Sequence, residues 1–517
     1  MKSTPLSLIA GAVALAAVTG FAALNAPGDT APEKARAASR LPVERSSLLC
    51  PAPSDSELAA TAYTSFTPAG KGAGGESAAE LTEALPTTDT ATEKPEKPEK
   101  PGKNGTTEKT DRAGAGKAAK PVVALKEPGK PVTAEAEGGD APALVGTATG
   151  ALAPGWSTQQ TTSVTAGTTR GLLGVSCTAP DTEFWFPGVS TAAKEQDYIH
   201  LTNPDDSAAV ADIQLFGPDG DLKADVGDGI TVPARSSVAM LLSTLTEQAV
   251  DDVTAHVTTR SGRVGAVVRG SEEDAGSDWL TASADPAATV VMPGIPADAT
   301  SVRLIAFAPG EDDADLQVQL AGKSATFSPA GNDTLHLKSG MTAGVDLKNV
   351  TREEPGSLRL TPSDGGRSTP IVAALRVVRG TGSSQEIAYI PATRPVAARA
   401  SVADNRAKGS TLSLVAPGAT AQVKVTASAG SEGGEQTVKS YTVKGGTTLA
   451  FSPPVPAGLK GTYALTVETV SGGPVYAART LALPEDGVRM FTVQTLPDDR
   501  GTVEVPAAVQ DLTVLDD

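Results

Sequence analysis

Val253-Thr254-Ala255-His256-Val257-Thr258-Thr259-Arg260-Ser261-Gly262-Arg263-Val264-Gly265-Ala266-Val267-Val268-Arg269 is the stretch on which the fold class turns. Val253, Ala255, Val257 and Thr259 alternate with Thr254, His256 and Thr258, the period expected of a strand with one buried face. Ser261-Gly262 then supplies turn chemistry, and an apolar run ending in arginine follows. Elsewhere Gln317 and Gln319 alternate with Leu316, Val318 and Leu320. Gly217-Pro218-Asp219-Gly220, Asp364-Gly365-Gly366 and Ser471-Gly472-Gly473 each separate two such runs. No amphipathic helix longer than roughly two or three turns stands out, which disfavours parallel α/β folds.

The same pattern returns at a fixed interval. Val232, Leu337 and Val443, in Thr-Val-Pro-Ala-Arg-Ser-Ser, His-Leu-Lys-Ser-Gly-Met-Thr and Thr-Val-Lys-Gly-Gly-Thr-Thr, lie 105 and 106 residues apart. Val253, Leu358 and Leu465 follow at 105 and 107. Apolar strands ending in arginine recur as Gly265 to Arg269, Ala373 to Arg379 and Val475 to Arg479. Diverged copies of one module explain this periodicity. About seven or eight short strands per copy fit an immunoglobulin-like sandwich. The expected class is therefore all-β, with β-sandwich 1 over 184–287, sandwich 2 over 288–393 and sandwich 3 over 394–517.

Upstream, Ser163 to Thr169 and Arg170-Gly171-Leu172-Leu173-Gly174-Val175 parallel only the end of a unit. Its missing strands are expected from 40–68, with the remainder in 121–183, as a degenerate N-terminal β-domain. Between them, residues 69–120 are rich in Gly, Ala, Thr, Lys, Glu and Pro, with consecutive Glu-Lys-Pro triplets from Glu93 to Pro101. Such a segment cannot bury enough apolar area to offset its ordering entropy and is expected to be disordered. Gly70, Gly72 and Gly75 match the spacing of a dinucleotide-binding loop, but no strand precedes them and no helix follows.

Residues 1–25 read as an export signal or membrane anchor, with Lys2 ahead of an apolar run from Leu6 to Leu24. A helix of that length also spans a bilayer, so a cleaved leader and an uncleaved anchor both stay open. Everything beyond it is expected outside the cytoplasm, in the cell envelope or on the outer face of the membrane. Cys50 and Cys177 are the only cysteines of the 517 residues. An even count in an exported chain reads as one disulfide, ahead of lipidation of Cys50 or two free thiols.

The net charge is −17, and residues 132–517 hold 27 basic and 45 acidic groups. That balance disfavours nucleic acid. Three histidines and two cysteines provide no clustered zinc motif.

The apolar leader, Arg40-Leu41-Pro42-Val43-Glu44-Arg45-Ser46-Ser47-Leu48-Leu49-Cys50-Pro51, the charged insert, and Gly174-Val175-Ser176-Cys177 running into Glu183-Phe184-Trp185-Phe186-Pro187-Gly188 resemble the actinobacterial secreted or membrane-anchored proteins of the domain of unknown function 5719 family. The resemblance implies residence in the cell envelope and supplies no catalytic residues.

His200, His256 and His336 each fall within a strand pattern and mark no duplicated site. No nucleophile elbow, metalloprotease helix or phosphate loop is present. Carboxylates cluster in loops: Asp205-Asp206, Asp219 with Asp221, Asp225 and Asp228, Glu272-Glu273-Asp274, and Glu311-Asp312-Asp313 with Asp315. They read first as a solvated rim. Two of them meeting across a cleft would suit glycan hydrolysis, and the Asp219 to Asp228 loop is a weak calcium candidate without the EF-hand pattern. Phe184, Trp185, Phe186 and Trp279 are the aromatics expected to pack an interface or meet a ligand. No cofactor and no metal are expected. The sequence thus points to a non-enzymatic exported scaffold that binds envelope proteins, with a cell-wall polysaccharide binder or weak glycan hydrolase as the alternative.

Overall fold

The computed structural model describes residues 39–70, 75–85, 120–224, 226–363, 365–484 and 488–506. The expected leader at 1–25, most of the expected insert, Gly72, Asp225 and Asp364 lie outside the described residues. Among the described residues no helix is long and apolar enough to cross a membrane.

The protein is all-β, and the strands among the described residues form four sandwiches of one topology. In the N-terminal sandwich the eight strands are Arg45–Cys50, Ala59–Phe66, Ala78–Glu83, Val123–Leu125, Val132–Glu137, Leu144–Thr149, Ser157–Val164 and Gly171–Ser176. One sheet orders them first-sixth-third-fourth and the other fifth-second-seventh-eighth. Sandwiches 1, 2 and 3, spanning strands Glu183–Leu280, Val290–Pro391 and Arg399–Thr495, repeat both orders, with short extra strands near the fourth position. The immunoglobulin order pairs the first strand with the second and the last with the sixth. Here the first strand pairs with the sixth and the seventh with the second, so these two strands have exchanged sheets.

Alternation drives the burial. Ala209, Ala211, Ile213 and Leu215 point inward from one strand, and Val253, Ala255 and Val257 meet them from its neighbour. Each sandwich then closes over one apolar core drawn from both sheets, as with Met292, Val318 and Leu358 against Leu304, Leu375 and Ile390. In sandwiches 1 to 3 the first strand carries a bulge at the same place, at Gly188, Gly294 and Asp404, all with positive φ. Pro187-Gly188 and Pro293-Gly294 supply the glycine that this backbone favours; Asp404 takes it without one.

The structure amends several sequence expectations. The N-terminal unit is complete, because Ala78–Glu83, placed by sequence inside the insert, is its third strand. Ala79 and Leu81 alone face the core there, too few apolar positions to stand out in a Lys-, Glu- and Pro-rich stretch. Residues 502–505, assigned to sandwich 3, and Ser39–Pro42, assigned to the N-terminal domain, instead pair with each other in a separate two-stranded sheet. Thr502–Val505 is exposed throughout and offers no face to a core. Of the repeat landmarks, Val232, Leu337 and Val443 are equivalent, each pairing with the first residue of a third strand, Ala209, Ala314 or Ala421. The equivalent of Leu358 and Leu465 is Ala255 rather than Val253, a slip of two residues that stays on the buried face. The equivalent of Arg269 and Arg479 is Arg376 rather than Arg379.

The sandwiches close into a ring. The eighth strands, Gly171–Ser176, Gly276–Leu280, Glu386–Pro391 and Phe491–Thr495, pack in succession, and the last returns to the first. Leu173 and Val175 meet Val267 and Trp279. Trp185 meets Phe307 and Val372, and Val291 meets Val415. Leu172 meets Leu481 and Met490, and Phe66 meets Ala403 and Ala464, which completes the circle.

Candidate functional site

Where the eighth strands end, the ring opens into a recess of about 950 Å³ lined by residues from all four sandwiches. Its walls are the segments that follow each eighth strand, including Thr178 to Asp181, Thr281 to Asp285, Thr393-Arg394 and Pro497 to Arg500. Trp156, Phe184 and Trp279 reach the lining but are largely buried, and Nε1 of Trp156 donates to Ser65 Oγ at 2.8 Å. The rim is charged and partly self-paired. Arg263 holds Asp205 through two hydrogen bonds of 3.0 and 3.2 Å, Arg235 holds Asp206 at 2.5 Å, and Arg394 holds Asp285. Asp499 pairs with Arg399 at 2.5 Å, and Nη2 of Arg399 donates to the Pro154 carbonyl, joining sandwich 3 to the N-terminal sandwich.

The opposite ends of the eighth strands are stitched across the ring. Arg170 donates to Glu386 at 2.9 Å and to the Gln385 carbonyl at 2.8 Å, while its own carbonyl accepts from Ser277 N at 2.8 Å. Deeper, Oδ1 of Asp278 accepts from Gly174 N at 2.9 Å, Trp279 N at 2.8 Å and Thr492 Oγ1 at 3.1 Å, so one buried carboxyl ties three sandwiches. Burial pushes the Asp278 carboxyl well above the usual carboxylate range and Glu386 up to about 7, the latter against the pull of Arg170. In sandwich 1 burial also raises Asp197 to about 8, although Ser190 N donates to it at 2.7 Å.

These shifts give the protein a pH dependence. The unfolded chain releases the carboxyl protons near pH 4, whereas the folded chain keeps them to about pH 7 at Glu386 and about 8 at Asp197. Stability from these groups is complete at low pH and is lost as pH rises through the folded values. His200 opposes them: burial lowers it to about 3, so the unfolded state alone binds its proton below about pH 6.5. Among the described residues Glu195 and Asp499 are raised by burial as well. Five raised carboxyls thus stand against the lowered histidines His200 and His256 and one lowered carboxyl, Asp55, and the melting temperature should fall between about pH 5 and 8.5. Asp197→Asn should flatten that slope; calorimetry across the range checks both.

The sequence-derived candidates scatter. Cys50 and Cys177 form the disulfide, which links the first strand to the end of the eighth and so crosses between the two sheets. Phe184 and Trp279 line the recess. Trp185 stacks on His256 at 3.6 Å between ring centroids and packs against Phe307, and Phe186 is wholly buried in the core of sandwich 1. His200 is buried edge-on to Trp279, His256 bonds to Glu183 at 3.0 Å, and His336 bonds to Asp315 at 2.7 Å; no two histidines share a site. Of the acidic loops only Asp205 and Asp206 reach the recess. Glu272 pairs with Arg376, Asp312 with Arg367 and Asp228 with Arg260. Asp219 lies in an exposed hairpin turn and Asp221 in the strand just after it, and among the described residues no group of His, Cys, Asp and Glu is arranged to hold a metal. Sequence reasoning missed Trp156, which directly precedes the seventh strand of the N-terminal sandwich, and Asp285, Arg394 and Asp499, whose only signal was recurrence just after an eighth strand.

The family of unknown function DUF5719 matches residues 132–454. The chain belongs to this family. The matched span runs from the fifth strand of the N-terminal sandwich into sandwich 3, so DUF5719 covers most of the ring. No curated protein matches the chain.

Proposed function

We propose that this DUF5719 protein is exported and serves the cell envelope as a non-enzymatic interaction module, with the axial recess as its binding surface. The observation that carries this reading is the recess itself, to which all four sandwiches contribute and where Asp205, Asp206 and Asp285 are held by arginines. A glycosidase needs one carboxyl free to give a proton and another free to attack or to activate water. Asp205, Asp206 and Asp285 are instead fixed as acceptors, which suits holding a partner. The Cys50–Cys177 disulfide favours an oxidising compartment and so supports export.

The test is in-cell photo-cross-linking from Asp206, Asp285 and Arg500 in a chain tagged at its carboxyl end. The expected result is that protease added to intact cells removes the tag, or that the tag is in the medium, and that these positions capture an envelope component. A tag protected inside the cell, or no capture from any of the three positions, overturns the proposal.

A further inference from the structure

The lining of the recess points to the chemical class of its occupant, and we infer that it binds a neutral, polyhydroxylated chain, that is, a segment of glycan. This deepens the proposed function and rests on it. The lining holds five arginines and seven carboxylates, and the pairs Arg235–Asp206, Arg263–Asp205 and Arg394–Asp285 cancel half of that charge where it stands, which leaves both signs interspersed around the rim. A polyanion or a strongly basic peptide would meet its own charge again at every step around this rim. An apolar lipid would desolvate the same ion pairs without replacing their hydrogen bonds.

What the surface offers instead is a dense set of neutral donors and acceptors. Eleven serines and threonines line the recess, and nine of them are at least partly exposed. A hydroxyl already donating to the protein, as Ser46 does to the Ala153 carbonyl at 3.1 Å, still accepts from a ligand hydroxyl. Each rim ion pair adds a planar fork of N–H donors beside a carboxylate, an arrangement that serves vicinal hydroxyls as donor and acceptor together. Trp156 and Trp279 reach the lining but are almost wholly buried, so they report an occupant by their fluorescence rather than stack on it. The volume of about 950 Å³ lies at the upper end for ligand pockets and suits several linked sugar units rather than one.

The probe is the source organism's own wall polysaccharide, stripped of protein and peptide and cut to soluble fragments, added to the full-length protein. Expected results are a saturable change in tryptophan fluorescence and a rise in melting temperature. Arg235→Ala with Arg394→Ala should weaken binding at least tenfold while leaving the melting temperature of the free protein unchanged, because both pairs are solvent-exposed. Ala284→Trp, at a half-buried position of the wall, should abolish binding by filling the recess. Absence of any response to the fragments, or equal binding by both variants, overturns the assignment. If the fragments fail while the cross-linkers capture a protein, the glycan assignment falls and the envelope-interaction reading stands; if the cross-linkers also capture nothing, both fall.

Discussion

Replacing Cys50 and Cys177 together by Ala is expected to lower the unfolding free energy of the N-terminal sandwich by about 5 kcal/mol. The bond closes a loop with a sequence separation of 127 residues, and a chain-entropy treatment assigns about 5 kcal/mol to a loop of that length. The bond fastens the first strand of one sheet to the end of the eighth strand of the other, beside the paired backbone hydrogen bonds between Leu49 and Thr178. Urea titrations with and without reductant provide the measurement, with protease cleavage between the N-terminal sandwich and sandwich 1 as a local reporter. Deleting residues 86–119, which lie inside the loop, should change the benefit by only about 0.3 kcal/mol, because closure entropy grows with the logarithm of length. A variant without the bond that unfolds at the same urea concentration as the oxidised protein would show that packing alone holds the two sheets.

Gly174→Val is the second large effect expected. Gly174 lies in the eighth strand of the N-terminal sandwich, where a Cβ would collide with Gln494 and Thr492 of sandwich 3. Its backbone N–H also donates to Asp278 of sandwich 1, so the strand cannot retreat without breaking the bond that joins three sandwiches. Overpacking of this kind costs about 1–3 kcal/mol where neighbours can shift, and the upper end is expected at a site enclosed by strands on several sides. The effect should fall on the ring rather than on one sandwich: hydrogen exchange should rise together in Gly171–Ser176, Gly276–Leu280 and Phe491–Thr495. Gly310→Ala is the control, because nothing lies within 4 Å of a Cβ there. Equal destabilisation by the two substitutions would mean that the eighth strands are not the point of closure.

The sequence revealed the strands and the repeat because both rest on local physics. Alternation from Val253 to Thr259 and the turn at Ser261-Gly262 are written in adjacent residues, and the inward positions recur at nearly constant spacing. Register was legible to within a slip of two at Val253 and three at Arg379, since short loops differ in length between copies. Closure of the ring was not legible. Leu172, Met490 and Trp185 are apolar residues in strands or turns like many others, and nothing local distinguishes a side chain facing its own core from one facing the next sandwich. The recess was hidden for a related reason. Asp285 and Arg394 are 109 residues apart and become partners only when two neighbouring sandwiches are docked. The acidic loops drew attention by density, yet density marks solvation more often than chemistry, and only Asp205 and Asp206 among them face the recess.

Val43 N–H donates to the Gly501 carbonyl at 3.0 Å, so the polypeptide enters and leaves the ring at one point. In mechanical terms the ring has a single handle: tension applied through both flanking segments would be spent on that contact and would never run lengthwise through the sandwiches, as it must in a linear string of modules. The same geometry makes the ring a candidate for circular permutation. Joining the chain directly at Val43 and Gly501 and opening it within residues 86–119 should leave every sandwich intact.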